Sequence, residues 1–151
     1  MATELDGTDY EILALLTENA RRSLADIAAR VSLSTPAVKR RIDRLEAERI
    51  ITGYTTNVDD ARLGLPLQAF IEVRFLGSME VDDLTSTVAG VESVRAAWTL
   101  AGDPDMLVRV RVKSVDQLKD VVNDLRQSGR VTGTKTMLVL DAWRAARPAW
   151  A

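Results

Sequence analysis

Thr35-Pro36-Ala37-Val38-Lys39-Arg40-Arg41-Ile42-Asp43-Arg44-Leu45-Glu46 is the stretch that decides how the first third of the chain is read. Thr35 followed by Pro36 marks a helix start. Threonine suits the N-cap, and proline suits the first helical position, where its missing N–H costs nothing. At about 100° of rotation per residue, Val38, Ile42 and Leu45 gather on one side and predict a core-facing stripe. Lys39, Arg40, Asp43 and Arg44 fall on the far side, with Pro36 and Ala37 near the N-terminal end. The segment is an amphipathic rod with a cationic flank.

Two shorter helices precede it. Thr8-Asp-Tyr-Glu11 has a capping-box pattern ahead of Ile12, Leu13, Leu15 and Leu16. Ser23 with Asp26 three residues on opens a second helix, whose Leu24, Ile27, Ala28 and Val31 share one face. Ser32-Leu33-Ser34 is a short break. Three helices with a tight break before a basic third helix predict a helix-turn-helix, whose third helix fits a DNA major groove. Net charge is only −2 over 151 residues, and the first sixty hold eight basic and eleven acidic side chains. Five of those eight basics nevertheless crowd into residues 39–49: Lys39, Arg40, Arg41, Arg44 and Arg49. Lys39, Arg40, Arg41 and Arg44 can neutralise phosphates or donate to guanine, and Ser34 and Thr35 can donate to a phosphate at the helix N-terminus. The competing reading is a small helical bundle with a solvated cationic face.

Composition removes whole classes of chemistry. The chain has no cysteine and no histidine. That excludes disulfides, thiolate catalysis, a Ser-His-Asp triad and His or Cys metal sites. No Gly-rich phosphate loop or metal-ligand cluster stands out, so the reading assigns no catalytic residue, no metal and no cofactor, and an enzyme is disfavoured. No run of about 18 apolar residues predicts a membrane span. The acidic start, Met-Ala-Thr-Glu-Leu-Asp, is unlike a signal peptide, and the expected location is cytoplasmic.

The second half alternates strands and helices. Ile50, Ile51, Tyr54 and Val58 suggest a short strand leaving the third helix, and Gly64-Leu65-Pro66 a break. Leu67, Ala69, Ile71, Val73 and Phe75 alternate with Gln68, Glu72 and Arg74, with Phe70 and Leu76 as apolar exceptions. Val81, Leu84 and Val88 predict a short helix, residues 91–100 a strand, and Gly102-Asp-Pro-Asp105 a turn. Met106, Val108, Val110 and Val112 alternate with Leu107, Arg109 and Arg111. Ser114-Val-Asp-Gln117 is another capping box, opening a helix lined by Val115, Leu118, Val122 and Leu125 and ended by Ser128-Gly129. Residues 131–140 form the last strand. The order β-α-β-β-α-β predicts a ferredoxin-like antiparallel sheet with both helices on one face. Its other face carries Phe70, Leu76 and Leu107 among Glu72, Arg74, Arg109 and Arg111, and predicts a homodimer formed through the sheets with cross-strand or intersubunit ion pairs. Asp82-Asp83 and the trio Asp116, Asp120 and Asp124 read as solvated helix faces, the trio paired with Lys119 and Arg126. Trp98 reads as a packing residue, and Trp143 as one that packs on a neighbouring subunit. The fold class is α+β: a helix-turn-helix (winged-helix-like) domain at 1–52, a strand linker at 53–66, a ferredoxin-like domain at 67–141, and a tail at 142–151.

Leu33-Ser34-x-x-x-Val38-x-x-Arg41-Ile42-x-Arg44-Leu45-Glu46, then Ile50-Ile51-x-Gly53-Tyr54, resembles the Lrp/AsnC family of bacterial and archaeal transcription regulators. The opening Leu5-Asp6-x-x-Asp9-x-x-Ile12-Leu13, the Gly102-Asp103-x-Asp105 loop and the Thr134-x-Thr136 strand resemble that family too, over roughly residues 5–141. The resemblance implies binding to double-stranded DNA, dimers often assembled into octamers, and a small-molecule effector, commonly an amino acid, held between subunits near the Gly-Asp-x-Asp loop. Two positions depart from the family pattern. Ser32 and Arg49 stand where glycine is usual. Arg49 therefore implies a different helix cap, some strain, or an added phosphate contact.

An amino-acid effector needs acceptors for its ammonium and donors for its carboxylate. Ala101, Gly102, Asp103 and Asp105 offer backbone N–H groups and carboxylates, and Thr134 and Thr136 offer hydroxyls. Leu100, Met106 and Met137 are candidates for an apolar side-chain pocket. The plain alternative is a hairpin turn whose aspartates bond their own backbone. Two functional readings follow: a sequence-specific regulator that answers to an effector, or an effector-independent architectural protein that wraps or bridges DNA.

Overall fold

A computed structural model describes residues 4–77 and 81–143, with the side chains of 81–84 left aside. The chain divides into two compact units at Asn57/Val58. The first holds three helices: α1 (Gly7–Glu18), α2 (Leu24–Arg30) and α3 (Thr35–Ala47). Its core is Ile12, Ile27, Ala28, Val31, Val38, Ile42 and Leu45, which includes the stripe expected of the third helix. Burial of this kind is what holds short helices, which are marginal alone.

The helix starts differ in detail from the sequence expectation. The capping box of α1 is Asp6/Asp9, not Thr8/Glu11. The Asp9 N–H donates to Asp6 Oδ1 at 2.9 Å and the Asp6 N–H to Asp9 Oδ2 at 3.1 Å. A carboxylate pair at the same spacing serves as well as Thr/Glu, and it starts the helix two residues earlier. Ser23 caps α2 as expected. The cap of α3 is Ser34, one residue before the expected Thr35. Ser34 is extended, and its carbonyl already accepts from Ala37 and Val38.

Both α2 and α3 end in Schellman motifs built on the non-glycine residues. Ser32 has φ 54° and Arg49 has φ 56°. The next N–H in each case reaches back to the helix, Leu33 to the Ala28 carbonyl at 3.0 Å and Ile50 to the Leu45 carbonyl at 2.9 Å. The cap geometry is therefore the one glycine favours, kept at a left-handed cost of roughly 1 kcal/mol per residue. Of the alternatives for Arg49, the structure shows strain rather than a different cap.

Residues 52–58 are exposed and form no strand, against the expected strand linker at 53–66. A strand needs an edge to pair with, and this segment pairs with none among the described residues. A turn follows, in which the Asp59 carbonyl and carboxylate accept from Ala61 and Arg62.

The second unit has β1 (Leu67–Phe75), α4 (Val81–Ala89), β2 (Val94–Thr99), β3 (Met106–Val112), α5 (Val115–Gln127) and β4 (Val131–Leu138). The sheet order is β2-β3-β1-β4 and every pairing is antiparallel, the expected ferredoxin-like arrangement. Ala69, Ile71, Val73 and Phe75 of β1 and Met106, Val108, Val110 and Val112 of β3 build the core with Leu118, Val121 and Leu125 of α5. Val115 is exposed and Val121 takes its place on the buried side. The reason is that Val115 is the first residue of the helix, beside the Ser114 cap. Ser114 Oγ accepts from the Gln117 N–H, but Gln117 Oε1 accepts from Lys113, so the box closes one residue early. Val88 is buried in α4; the expected partners Val81 and Leu84, with Asp82 and Asp83, lie outside the described side chains.

Candidate nucleic-acid interface and effector loop

The N-terminal half of α3 presents polar and cationic groups outward. Ser34, Thr35, Pro36, Lys39 and Arg40 are exposed and Ala37 is half-buried. Ser34 Oγ accepts from the Ala37 N–H at 3.4 Å, which leaves its own proton free to donate. Lys39 Nζ donates to Asp43 at 2.5 Å, an exposed pair one helical turn apart. Such pairs are weak and exchange readily with other partners. Arg40 makes no ion pair or hydrogen bond among the described residues. An open groove of about 410 Å³ lies alongside, lined by Leu33, Ala37, Arg40, Arg41 and Arg44.

Arg41 and Arg44, expected among the outward cations, turn instead onto the start of α1. Arg41 Nη1 donates to Asp6 Oδ2 at 2.7 Å and to Asp9 Oδ1 at 2.8 Å, and Arg44 Nη2 donates to Asp9 Oδ2 at 2.5 Å. The Asp9 side chain is 1% exposed. A buried carboxylate without a partner costs roughly 3–5 kcal/mol, so Asp9 requires these guanidiniums. Arg41 holds the Asp6 carboxyl below the usual range, first through its hydrogen bond, and Asp6 raises Arg41 in turn.

The far end of α3 carries a second tie. Tyr54 hydroxyl donates to Glu46 Oε1 at 2.7 Å, and desolvation followed by that carboxylate pushes its pKa up to about 12. The chain leaving the helix is thereby pinned to the helix's last turns.

In the second unit the loop between β2 and β3 is closed by the Leu100 N–H donating to the Asp105 carbonyl at 2.8 Å. Gly102 has φ 138°, a conformation side chains rarely adopt. Both aspartates already have partners. Asp103 accepts from Arg74 Nε at 2.5 Å and Nη2 at 3.2 Å, and Asp105 Oδ2 accepts from the Phe75 N–H at 2.8 Å. Ala101, Gly102 and Asp103 are exposed, with Leu100 at their head. Met106, Val73 and Thr134 lie in one row across three strands, so the loop and Thr134 share an end of the sheet. They do not share a face. Thr134 and Thr136 pair with Val73 and Ile71, which face the helices, whereas Arg74 pairs with Gly133 on the other side. Thr134 Oγ1 accepts from Arg126 at 2.7 and 3.0 Å. The expected apolar pocket does not assemble. Met106 is fully buried in the core, and Met137 pairs with Phe70 on the opposite face.

That opposite face bears Phe70, Leu107, Trp98 and Met137. Trp98 is 45% exposed, so the packing expected of it is absent in a single protomer; Trp143, expected to pack on a neighbouring subunit, is exposed. Glu72 pairs with Lys135 across strands and with Arg74 along one, and Arg111 with Asp60. Arg109 Nε is buried with no partner. Asp116, Asp120 and Asp124 form no ion pair among the described residues, because Arg126, expected to meet them, turns to Thr134 instead.

The residues that the sequence reading passed over are Asp6 and Asp9 as a clamp on α3, and Arg74 and Arg126 as the loop and strand partners. Asp9 and Arg41 are 32 positions apart, so no helical spacing links them. The one available signal was the pair of aspartates at capping distance beside an excess of arginine.

Residues 5–46 match the AsnC-type helix-turn-helix domain and residues 68–148 the Lrp/AsnC ligand binding domain. The chain is 36% identical over 136 residues to the HTH-type transcriptional regulator Rv2324 of Mycobacterium tuberculosis, covering 90% of this chain and 92% of that protein. It is 33% identical to the HTH-type transcriptional regulator LrpA1 of Halobacterium salinarum, covering 99% and 96%. Among solved structures, the feast or famine regulatory protein Rv3291c of M. tuberculosis, complexed with L-methionine, superposes with a TM-score of 0.89 at 27% identity, covering 98% of this chain and all of that one. The Neisseria meningitidis transcriptional regulator NMB0573, also complexed with L-methionine, gives a TM-score of 0.87 at 28% identity over 94% of each chain. The names of these relatives describe regulators rather than enzymes.

Proposed function

The chain belongs to the Lrp/AsnC family of transcriptional regulators, and from that premise we propose that it binds specific DNA sites through α3 and answers to an amino-acid effector. The observation that carries the DNA reading is the outward row Ser34, Thr35, Pro36, Ala37, Lys39 and Arg40. Donors at the helix N-terminus suit a phosphate, and an unpaired arginine beside them suits a guanine edge or a second phosphate. The outer sheet face, with Trp98 and Met137 exposed, supports a homodimer that stacks these apolar groups and covers Arg109. Such a dimer would present two α3 helices about 34 Å apart, one turn of DNA.

The effector reading rests on the exposed Gly102 loop and on the methionine complexes of the two structural relatives. Backbone N–H groups at Ala101 and Gly102 suit a carboxylate, and the exposed Asp103, held by the half-exposed Arg74, suits an ammonium. Selection from a random duplex pool followed by footprinting tests the first part: two half-sites about 10 base pairs apart are expected. A thermal-shift screen of the twenty amino acids tests the second. A stabilised native state is expected for at least one. No recovered site and no shift would favour the architectural, effector-independent reading.

A further inference from the structure

We infer that Asp9 is a positioning residue that withholds Arg41 and Arg44 from DNA, leaving the phosphate contacts of α3 to Lys39 and Arg40. The inference rests on the proposal that α3 is the DNA-facing helix. Two carboxylates, Asp6 and Asp9, meet two guanidiniums, Arg41 and Arg44, in one connected cluster of net zero charge. Binding of a cation to DNA gains from the counterions it releases, and a cation already neutralised by its own protein releases none. Exchange of partners is also opposed. Moving either guanidinium to a phosphate would leave a carboxylate that is 1% exposed with one of its two cations. Lys39 differs, because its partner Asp43 is half exposed and water can replace the lost bond. Arg40 has no partner among the described residues to lose. The clamp spans α1 and α3, so it also sets the angle at which α3 leaves the bundle. Of the basic groups lining the groove beside α3, only Arg40 keeps its charge for a ligand.

The measurement is the salt dependence of binding to a mixed-sequence duplex about 40 base pairs long, with the full chain and three variants. Arg40→Gln is expected to flatten the slope of log K against log salt by about 0.9 per protomer. Arg41→Gln is expected to lower the melting temperature and leave the slope at the wild-type value. A purely structural role for Asp9 would leave the slope of Asp9→Asn unchanged. The clamp predicts instead that the folded variant steepens by about 0.9 per protomer, as Arg44 is released to a phosphate while Asp6 keeps Arg41. Flattening by Arg41→Gln equal to that of Arg40→Gln, or a folded Asp9→Asn with the wild-type slope, overturns the inference. Should Asp9→Asn fail to fold, Arg41→Gln decides alone. A slope that neither Arg40→Gln nor Arg41→Gln moves overturns the DNA reading itself, and the clamp with it.

Discussion

Two carboxylate–guanidinium contacts in this chain have the same chemistry and opposite settings. Asp9 is 1% exposed and holds Arg41 and Arg44, whereas Asp103 is 73% exposed and holds Arg74. In the first, a departing guanidinium leaves a buried carboxylate with one of its two cations. In the second, water stands ready to replace whichever partner departs. Burial, not bond length, decides whether such a pair fixes a helix or yields to a ligand. The helical unit uses the first kind to hold the helix proposed to face DNA, and the sheet unit keeps the second at the loop proposed for an effector.

The comparison breaks most visibly at Asp9. Asp9→Ala leaves Arg44 without its carboxylate and Arg41 with Asp6 alone, and is expected to cost the helical unit roughly 1.5–3 kcal/mol, read by chemical denaturation. A loss below about 1 kcal/mol would place Asp9 with ordinary surface pairs. Acid probes the same region. Asp6 is held low by Arg41 and Asp26 by Arg22. A depressed folded value means stability that is present above the unfolded value and lost as pH falls through the folded one. Melting of the helical unit is therefore expected to be level from pH 7 to 5 and to drop below about pH 4; a drop beginning near pH 6 would contradict it.

Smaller effects sharpen the contrast. Ser32→Gly and Arg49→Gly relieve left-handed strain at two helix ends and are each expected to add about 0.5–1 kcal/mol, seen as a higher melting temperature. A loss of stability in both would show that the serine and arginine make compensating contacts. Asp103→Asn is expected to leave the melting temperature near wild type. It should instead weaken the binding of an amino acid found by the screen about tenfold. A large loss of stability with unchanged binding would reverse the roles given to the two aspartates.

How much was legible in the sequence follows the range of the interaction. The stripe Val38, Ile42 and Leu45 and the alternation along β1 and β3 are set by periods of 3.6 and 2, and both appear buried as read. Caps were legible to within one or two residues, because Asp6 and Thr8, or Ser34 and Thr35, are chemically alike. The linker strand expected from Ile50, Ile51, Tyr54 and Val58 does not form among the described residues, because apolar spacing alone does not supply a pairing edge. Asp9 was not legible as a clamp, because only the packing of α1 on α3 brings it to Arg41. The threonines of β4 were read as one set with the Gly102 loop, yet the register sends Arg74 and Thr134 to opposite faces.

The most direct test of the proposed DNA-facing surface is a titration of duplex DNA into nitrogen-labelled protein, followed by NMR. The account predicts that the backbone signals of Thr35 and Ala37 and the side-chain signal of Arg40 move first and furthest, while the guanidinium signals of Arg41 and Arg44 stay close to their free positions. Shifts concentrated in the sheet unit, or in residues on the buried side of α3, would contradict it.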